Sequence, residues 1–167
     1  MKTLLISTLV LILCSCAVDT PEPAPPCPAP ELNTADWREV RSTRTFSIRV
    51  PPEFEIAETE SVDSEVWRYR SEKGRLVIDV GFGGTWRLGG LDKLPKYAEC
   101  IDVMSGRQAR IATLVTAGEL EPHGMLFAGA YWPLDGPVTV TAYGDAVDRE
   151  THEKLLGMIR SIRFNYW

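Results

Sequence analysis

Histidine is scarce in this chain, with only His123 and His152 among 167 residues. Glu121 and His123 would supply two metal ligands, whereas zinc takes three or four, so a turn is the favoured interpretation of the Glu-Pro-His-Gly stretch. His152 has no nucleophile beside it in the sequence, which favours a packed histidine over a catalytic base. We therefore expect no metal and no cofactor.

Basic residues are fewer than acidic ones, 18 against 23, which gives a formal net charge of −5. An acidic chain binds nucleic acid poorly, so we expect no nucleic-acid partner. The Gly81–Trp86 stretch lacks the last glycine and the Gly-Lys-Ser/Thr ending of phosphate loops. Ser105 and Ser161 do not lie in a Gly-x-Ser-x-Gly turn. The sequence predicts a noncatalytic protein; the alternative is a hydrolytic enzyme with an unrecognised set of residues.

No apolar run reaches the roughly 20 residues that a membrane-spanning helix needs. The N-terminal run Thr3–Leu13 follows Lys2 and is typical of a secretory signal peptide. It ends in Leu13-Cys14-Ser15-Cys16, which resembles the lipobox of bacterial lipoproteins. An ordinary secretory signal with incidental cysteines is the alternative.

The lipobox resemblance implies cleavage of residues 1–15 and acylation, including palmitate, on Cys16. Two or more acyl chains give stable membrane anchoring, whereas one gives marginal binding. In lipoproteins an Asp after the cysteine marks inner-membrane retention. Ala17 stands there instead, which implies an outer-membrane anchor facing the periplasm if the host is Gram-negative. The mature chain would carry 17 basic and 23 acidic residues, a net charge of −6.

Residues 16–33 form the second predicted segment, with six prolines between Pro21 and Pro30. Such a stretch is typical of an extended, polyproline-like spacer. It contains Cys27, and Cys100 is the only other cysteine once Cys14 is removed and Cys16 is acylated.

Two thiols in an oxidising compartment predict a Cys27–Cys100 disulfide. It would leave a tether from Ala17 to Pro26 that reaches about 30 Å. Two unpaired thiols, or an intermolecular bridge through Cys27, remain the alternatives because sequence does not fix the distance between Cα atoms.

Residues 34–167 are predicted to form one globular domain, a size at which an apolar core is feasible. Alternation with period two predicts a strand at 45–50 and a hairpin of 64–70 with 75–82, turned by Ser71–Gly74. Further strands are predicted at 106–117, 125–132 and 138–143, with antiparallel pairing because the connections are short.

The chain ends in a predicted amphipathic helix from Arg149 to about Arg160, capped by Asp148. Four residues fall on one face at helical spacing and should lie against the sheet: His152, Leu155, Leu156 and Ile159.

Three segments of the domain resemble the PsbP-like family. The Phe46–Phe54 run matches its opening "FSI-x-VP-x-x-F" strand, Gly106–Arg110 resembles its "G-x-x-A" strand, and Leu155–Phe164 resembles its closing helix with "S-I-x-F". The resemblance implies an α+β fold in which an antiparallel sheet is flanked by helices. It also implies binding and assembly roles, with no catalytic residues to carry over.

The aromatic residues favour a binding role, although most of them are expected in the core. The glycine-rich loop 83–90 carries Trp86 and Arg87, residue types that are frequent at binding hot spots, and we predict a contact surface there. The predicted partners are the membrane lipid, through Cys16, and an envelope protein or glycan. An accessory subunit of a larger envelope complex is the alternative.

Overall fold

The computed structural model describes residue 27 and residues 31–42, 45–60, 64–82, 97–114, 126–134 and 138–165. These residues contain ten strands and one helix. The strands are β1 (Arg38–Arg41), β2 (Phe46–Val50), β3 (Glu55–Glu60), β4 (Glu65–Arg70), β5 (Gly74–Phe82), β6 (Tyr97–Met104), β7 (Arg107–Leu114), β8 (Leu126–Pro133), β9 (Val138–Ala146) and β10 (Arg163–Phe164). The helix, α1 (Arg149–Arg160), lies between β9 and β10.

Two antiparallel sheets contain these strands. The large sheet has seven strands in the order β3-β4-β5-β9-β8-β7-β6, and the small sheet has three in the order β1-β2-β10. The helix contacts β5, β8 and β9 of the large sheet and β2 of the small one. One face of the large sheet, the inner face, is therefore covered by a helix together with a second sheet.

The α+β architecture that the PsbP-like resemblance implied, a sheet flanked by helices, is wrong. The described residues contain a single helix, and strands make up most of the rest. The physical reason lies in residues 38–50, which pair as the hairpin β1–β2, so that a small sheet lies beside the single helix on the inner face. Segments 55–60 and 97–104 also form strands, although neither has the clean apolar alternation by which strands are predicted.

The core lies between the inner face of the large sheet and the layer made of α1 and the small sheet. Residues directly opposite each other in antiparallel strands share a face, so the register assigns each side chain. Leu76 lies opposite Gly144, and Ile78 opposite Ala142, on β5 and β9. The largest fully buried side chains are Trp132, Tyr69, Phe46, Phe54, Ile48, Leu76, Ile78, Ile111, Leu155, Met158, Ile159 and Ile162.

The predicted C-terminal helix is confirmed at 149–160. Asp148 has extended backbone geometry, and its carboxylate accepts a hydrogen bond from the Thr151 backbone N–H at 2.8 Å. That bond, together with Lys73, lowers the pKa of Asp148 to about 2. The stripe that includes His152, Leu155 and Ile159 is buried, so its burial holds the helix on the sheet.

The hairpin predicted around Ser71–Gly74 is also confirmed, with Arg70 opposite Arg75 next to the turn. Trp67 and Tyr69 of its first arm point to the inner face, where the Trp67 ring meets Phe46 edge to face at 6.0 Å between centroids. The Trp67 indole N–H donates to Glu65 at 2.7 Å, and Thr45 donates to the same carboxylate. These contacts attach the small sheet to the large one.

Candidate functional site

The structure brings together Cys27 and Cys100, the two cysteines for which the sequence predicts a disulfide. They are bonded, with their Cα atoms 5.1 Å apart. The other predicted site residues, Cys16, Trp86 and Arg87, lie outside the described residues. His123 lies outside them as well.

The disulfide fixes the N-terminal segment at one edge of the large sheet. Cys100 lies on β6, the last strand of that sheet, where its buried side chain faces the core. Cys27 packs against the same core, as does Leu32 further along the chain. Thus two residues of the predicted spacer, on the N-terminal side of its boundary at 33, contact the folded body.

Strand β6 is joined to β7 by a two-residue turn. Ser105 and Gly106 have φ values of 54° and 74°, the positive angles of the turn type preferred in such hairpins. Met104 and Arg107 flank the turn and form the first pair of the ladder. Hydrogen-bonded and non-hydrogen-bonded pairs alternate from there, so Glu99, Ile101 and Val103 direct their backbone groups away from β7.

We call these three residues, Glu99, Ile101 and Val103, the β6 edge. No described strand pairs with β6 on that side. The edge is partly protected nonetheless, because the Val103 N–H donates to the Asp102 carboxylate at 2.8 Å. A backbone donor that is already bonded does not invite a further strand at that position.

Two aliphatic side chains of the β6 edge are exposed. Ile101 is 41% exposed and Val103 is 66% exposed, next to each other on the face of the sheet opposite α1. The carboxylate next to them on the same face, that of Glu99, is paired with Arg110, while that of Asp102 on the inner face lies 3.4 Å from Arg160. In an acidic protein, this is an apolar patch with balanced local charge.

Most of the described aromatic residues are part of the packed interior. Trp37, Tyr69 and Trp132 are buried, and Phe164 packs edge to face on Trp132. Burial raises the pKa of the Tyr69 hydroxyl, so that group keeps its proton and does not serve as a base at neutral pH. These side chains account for core packing, as expected for the majority.

In two surface clefts, most of the charged groups have partners within the protein. The first, about 330 Å³, lies at the start of α1, where Lys154 contacts Glu53 at 2.7 Å and Glu150 at 2.9 Å. The second, about 220 Å³, lies beside Trp37, and there the Arg49 guanidinium donates to Thr34. Neither cleft presents the convergent, unpaired groups that a ligand site uses.

His152 is a packed histidine: it is 3% exposed, and its Nε2 lies 3.0 Å from the Phe127 carbonyl oxygen. Burial lowers the pKa of His152 below 6.5, although that hydrogen bond and the nearby Glu153 act in the opposite direction. The ring is therefore favoured in its neutral form, as a donor to Phe127.

We expect this lowered pKa to make stability depend on pH. Below about pH 6.5 the unfolded chain binds a proton at His152 that the folded chain resists, so the free energy of unfolding should fall as the pH decreases from about 7 to 5. His152→Gln should flatten the slope in that interval, measured by urea unfolding at a series of pH values. An unchanged slope would assign it to other groups, with His123, present in both proteins, as the first to replace.

Sequence reasoning missed the β6 edge because β6 has apolar and charged residues on both of its faces. Cys100 and Met104 point inward, but so does Asp102, while Ile101 and Val103 point outward. The detectable sign was the Ser105-Gly106 dipeptide, which is typical of a tight turn between two strands. The alternation predicts a strand that begins at Gly106, whereas the structure has Gly106 in the turn and the strand begins at Arg107.

Among the described residues, no helix is long and apolar enough to cross a membrane, and no three potential ligands are grouped to hold a metal ion. No family model matches the chain, and a search of curated proteins finds no match either.

Proposed function

We propose that this protein is a lipid-anchored lipoprotein of the bacterial envelope, exported, acylated on Cys16, and working as a noncatalytic binding module close to the membrane. The lipobox-like segment Leu13–Cys16 supports the anchor. The observation that carries a role close to the membrane is the disulfide, which attaches Cys27, eleven positions after Cys16, to Cys100 of the folded body.

Chain length supports a position close to the membrane. Cys27 lies eleven positions after Cys16, and a fully extended chain of that length spans at most about 40 Å. Because Cys27 is bonded to Cys100, the β6 edge is the part of the described body with the shortest covalent path to the acylated residue. An envelope protein or glycan bound by this module would lie within that distance of the bilayer.

Replacement of Cys16 tests the anchor. We expect wild-type protein to incorporate labelled palmitate and to sediment with membranes, and the Cys16→Ser variant to lose both properties, because the acyl chains are the membrane attachment. The matched control is Cys14→Ser, which should still be labelled, since Cys14 lies in the removed segment. Labelling of the Cys16→Ser protein would contradict the proposed site.

A further inference from the structure

We infer that the β6 edge is a bilayer-contact surface, on which Ile101 and Val103 rest in the interfacial region of the membrane that holds the acyl chains. This inference rests on the proposed lipoprotein anchor. It goes beyond that anchor because it gives the domain one defined orientation at the lipid surface.

The attachment point of the tether supports lipid as the partner that contacts the β6 edge. Cys27 is the described residue nearest to Cys16 in the sequence; the disulfide holds it beside Cys100, and the next residue along β6 is the exposed Ile101. The anchor and the apolar patch therefore lie at the same edge of the large sheet. A tether attached there brings that edge closer to the bilayer than surfaces farther from Cys27, and so favours contact between this edge and the lipid.

The charge around the β6 edge also supports contact with lipid. The mature chain has a formal net charge of −6, which anionic lipid would repel. At the β6 edge, however, the Glu99 carboxylate is paired with Arg110, and on the inner face the Asp102 carboxylate lies 3.4 Å from Arg160. The exposed aliphatic side chains are thus flanked by compensated charges, and their transfer to the interface does not carry an unpaired carboxylate with it.

The backbone argues against a partner strand as the occupant. Strand addition uses the outward N–H and C=O groups of an edge, and the Val103 N–H is already bonded to Asp102. The same carboxylate lies 3.4 Å from Arg160 Nη2, an ion pair without a hydrogen bond. An edge with a capped donor and exposed aliphatic side chains fits a lipid surface better than a second copy of the chain.

A fluorescent reporter at the β6 edge tests the inference. Val103→Cys introduces the one free thiol of the mature protein, because Cys16 is acylated and Cys27 is bonded to Cys100. The acylated protein would carry a polarity-sensitive dye at this position and be incorporated into vesicles of phosphatidylethanolamine and phosphatidylglycerol. The matched control is Val147→Cys, a valine that is 47% exposed at the junction of β9 and α1.

With nitroxide-labelled lipids, we expect the dye at position 103 to lose about half or more of its fluorescence and to shift to the blue, since interfacial apolar groups enter the headgroup boundary by about 5–10 Å. The dye at position 147 should show neither change. Equal quenching at both positions would overturn the inference, because it would indicate mere nearness to the bilayer.

The remaining outcomes distinguish failure of the lipid-contact inference from failure of the proposed anchor. Protein that floats with the vesicles but shows no quenching at 103 would overturn the inference and leave the anchor intact. Protein that carries no acyl chain and does not float would overturn both proposals. Energy transfer between two dyes at position 103 without nitroxide quenching would identify a second copy as the occupant of the β6 edge and overturn the lipid assignment.

Discussion

Replacing both Cys27 and Cys100 by serine is expected to lower the free energy of unfolding by about 4 kcal/mol. The disulfide joins residues 73 positions apart, and a closed loop of that length removes a large part of the conformational freedom of the unfolded chain. Equilibrium unfolding in urea would measure the loss, in the mature chain with Cys16 replaced by serine so that no acyl chain interferes.

Reduction provides the control for this prediction. A reductant should bring the chain that keeps both cysteines to the stability of the double variant, and it should leave the double variant itself unchanged. Thiol labelling of the unfolded, unreduced chain gives an independent check. Two reactive thiols per molecule, or equal stability with and without reductant, would contradict a bond between these residues.

A methyl group at Gly144 is expected to destabilise the protein by about 3 kcal/mol, the upper part of the range for overpacking. The Cβ of Gly144→Ala would lie 2.4 Å from the Arg75 carbonyl oxygen and 3.2 Å from Leu155 Cδ1. The first of these atoms belongs to the backbone of the neighbouring strand, so relief requires β5 and β9 to move apart. Thermal and urea unfolding would both detect the change.

Gly106→Asn is the matched control for this glycine substitution. Nothing lies within 4 Å of a Cβ at position 106, and its φ of 74° is one that Asn tolerates. We expect a loss below about 1 kcal/mol there. If Gly144→Ala were equally mild, the close approach of the two strands would not be a constraint on the fold.

The elements that could be predicted are those in which local conformational preference and the apolar pattern indicate the same structure. Asp148 combines a capping side chain with a helical apolar stripe after it, and the structure forms that helix. The Ser71–Gly74 turn lies between two alternating strands, and the structure forms that hairpin. In both cases local preference and burial favour the same conformation, so tertiary contacts had nothing to override.

The elements that were missed depend on partners far away in the sequence. β1 has charged residues at three of its four positions and becomes a strand because β2 lies beside it. Asp102 points to the inner face of β6, which breaks the alternation, and its Arg160 partner comes 58 positions later. The candidate surface was missed for the same reason: exposure of Ile101 and Val103 follows from the position of β6 at the end of the sheet, which no local pattern encodes.

The disulfide also decides where mechanical load would enter the domain. If the chain is anchored at Cys16 as proposed, a pull between the bilayer and the body would pass from Cys27 to Cys100, and thus into the eight-residue ladder of β6 and β7. The small sheet would carry none of it. In the reduced protein the same pull would instead reach β1, which is held to β2 by only four residue pairs that can open one after another. Oxidation therefore connects the proposed anchor to the longer of the two ladders.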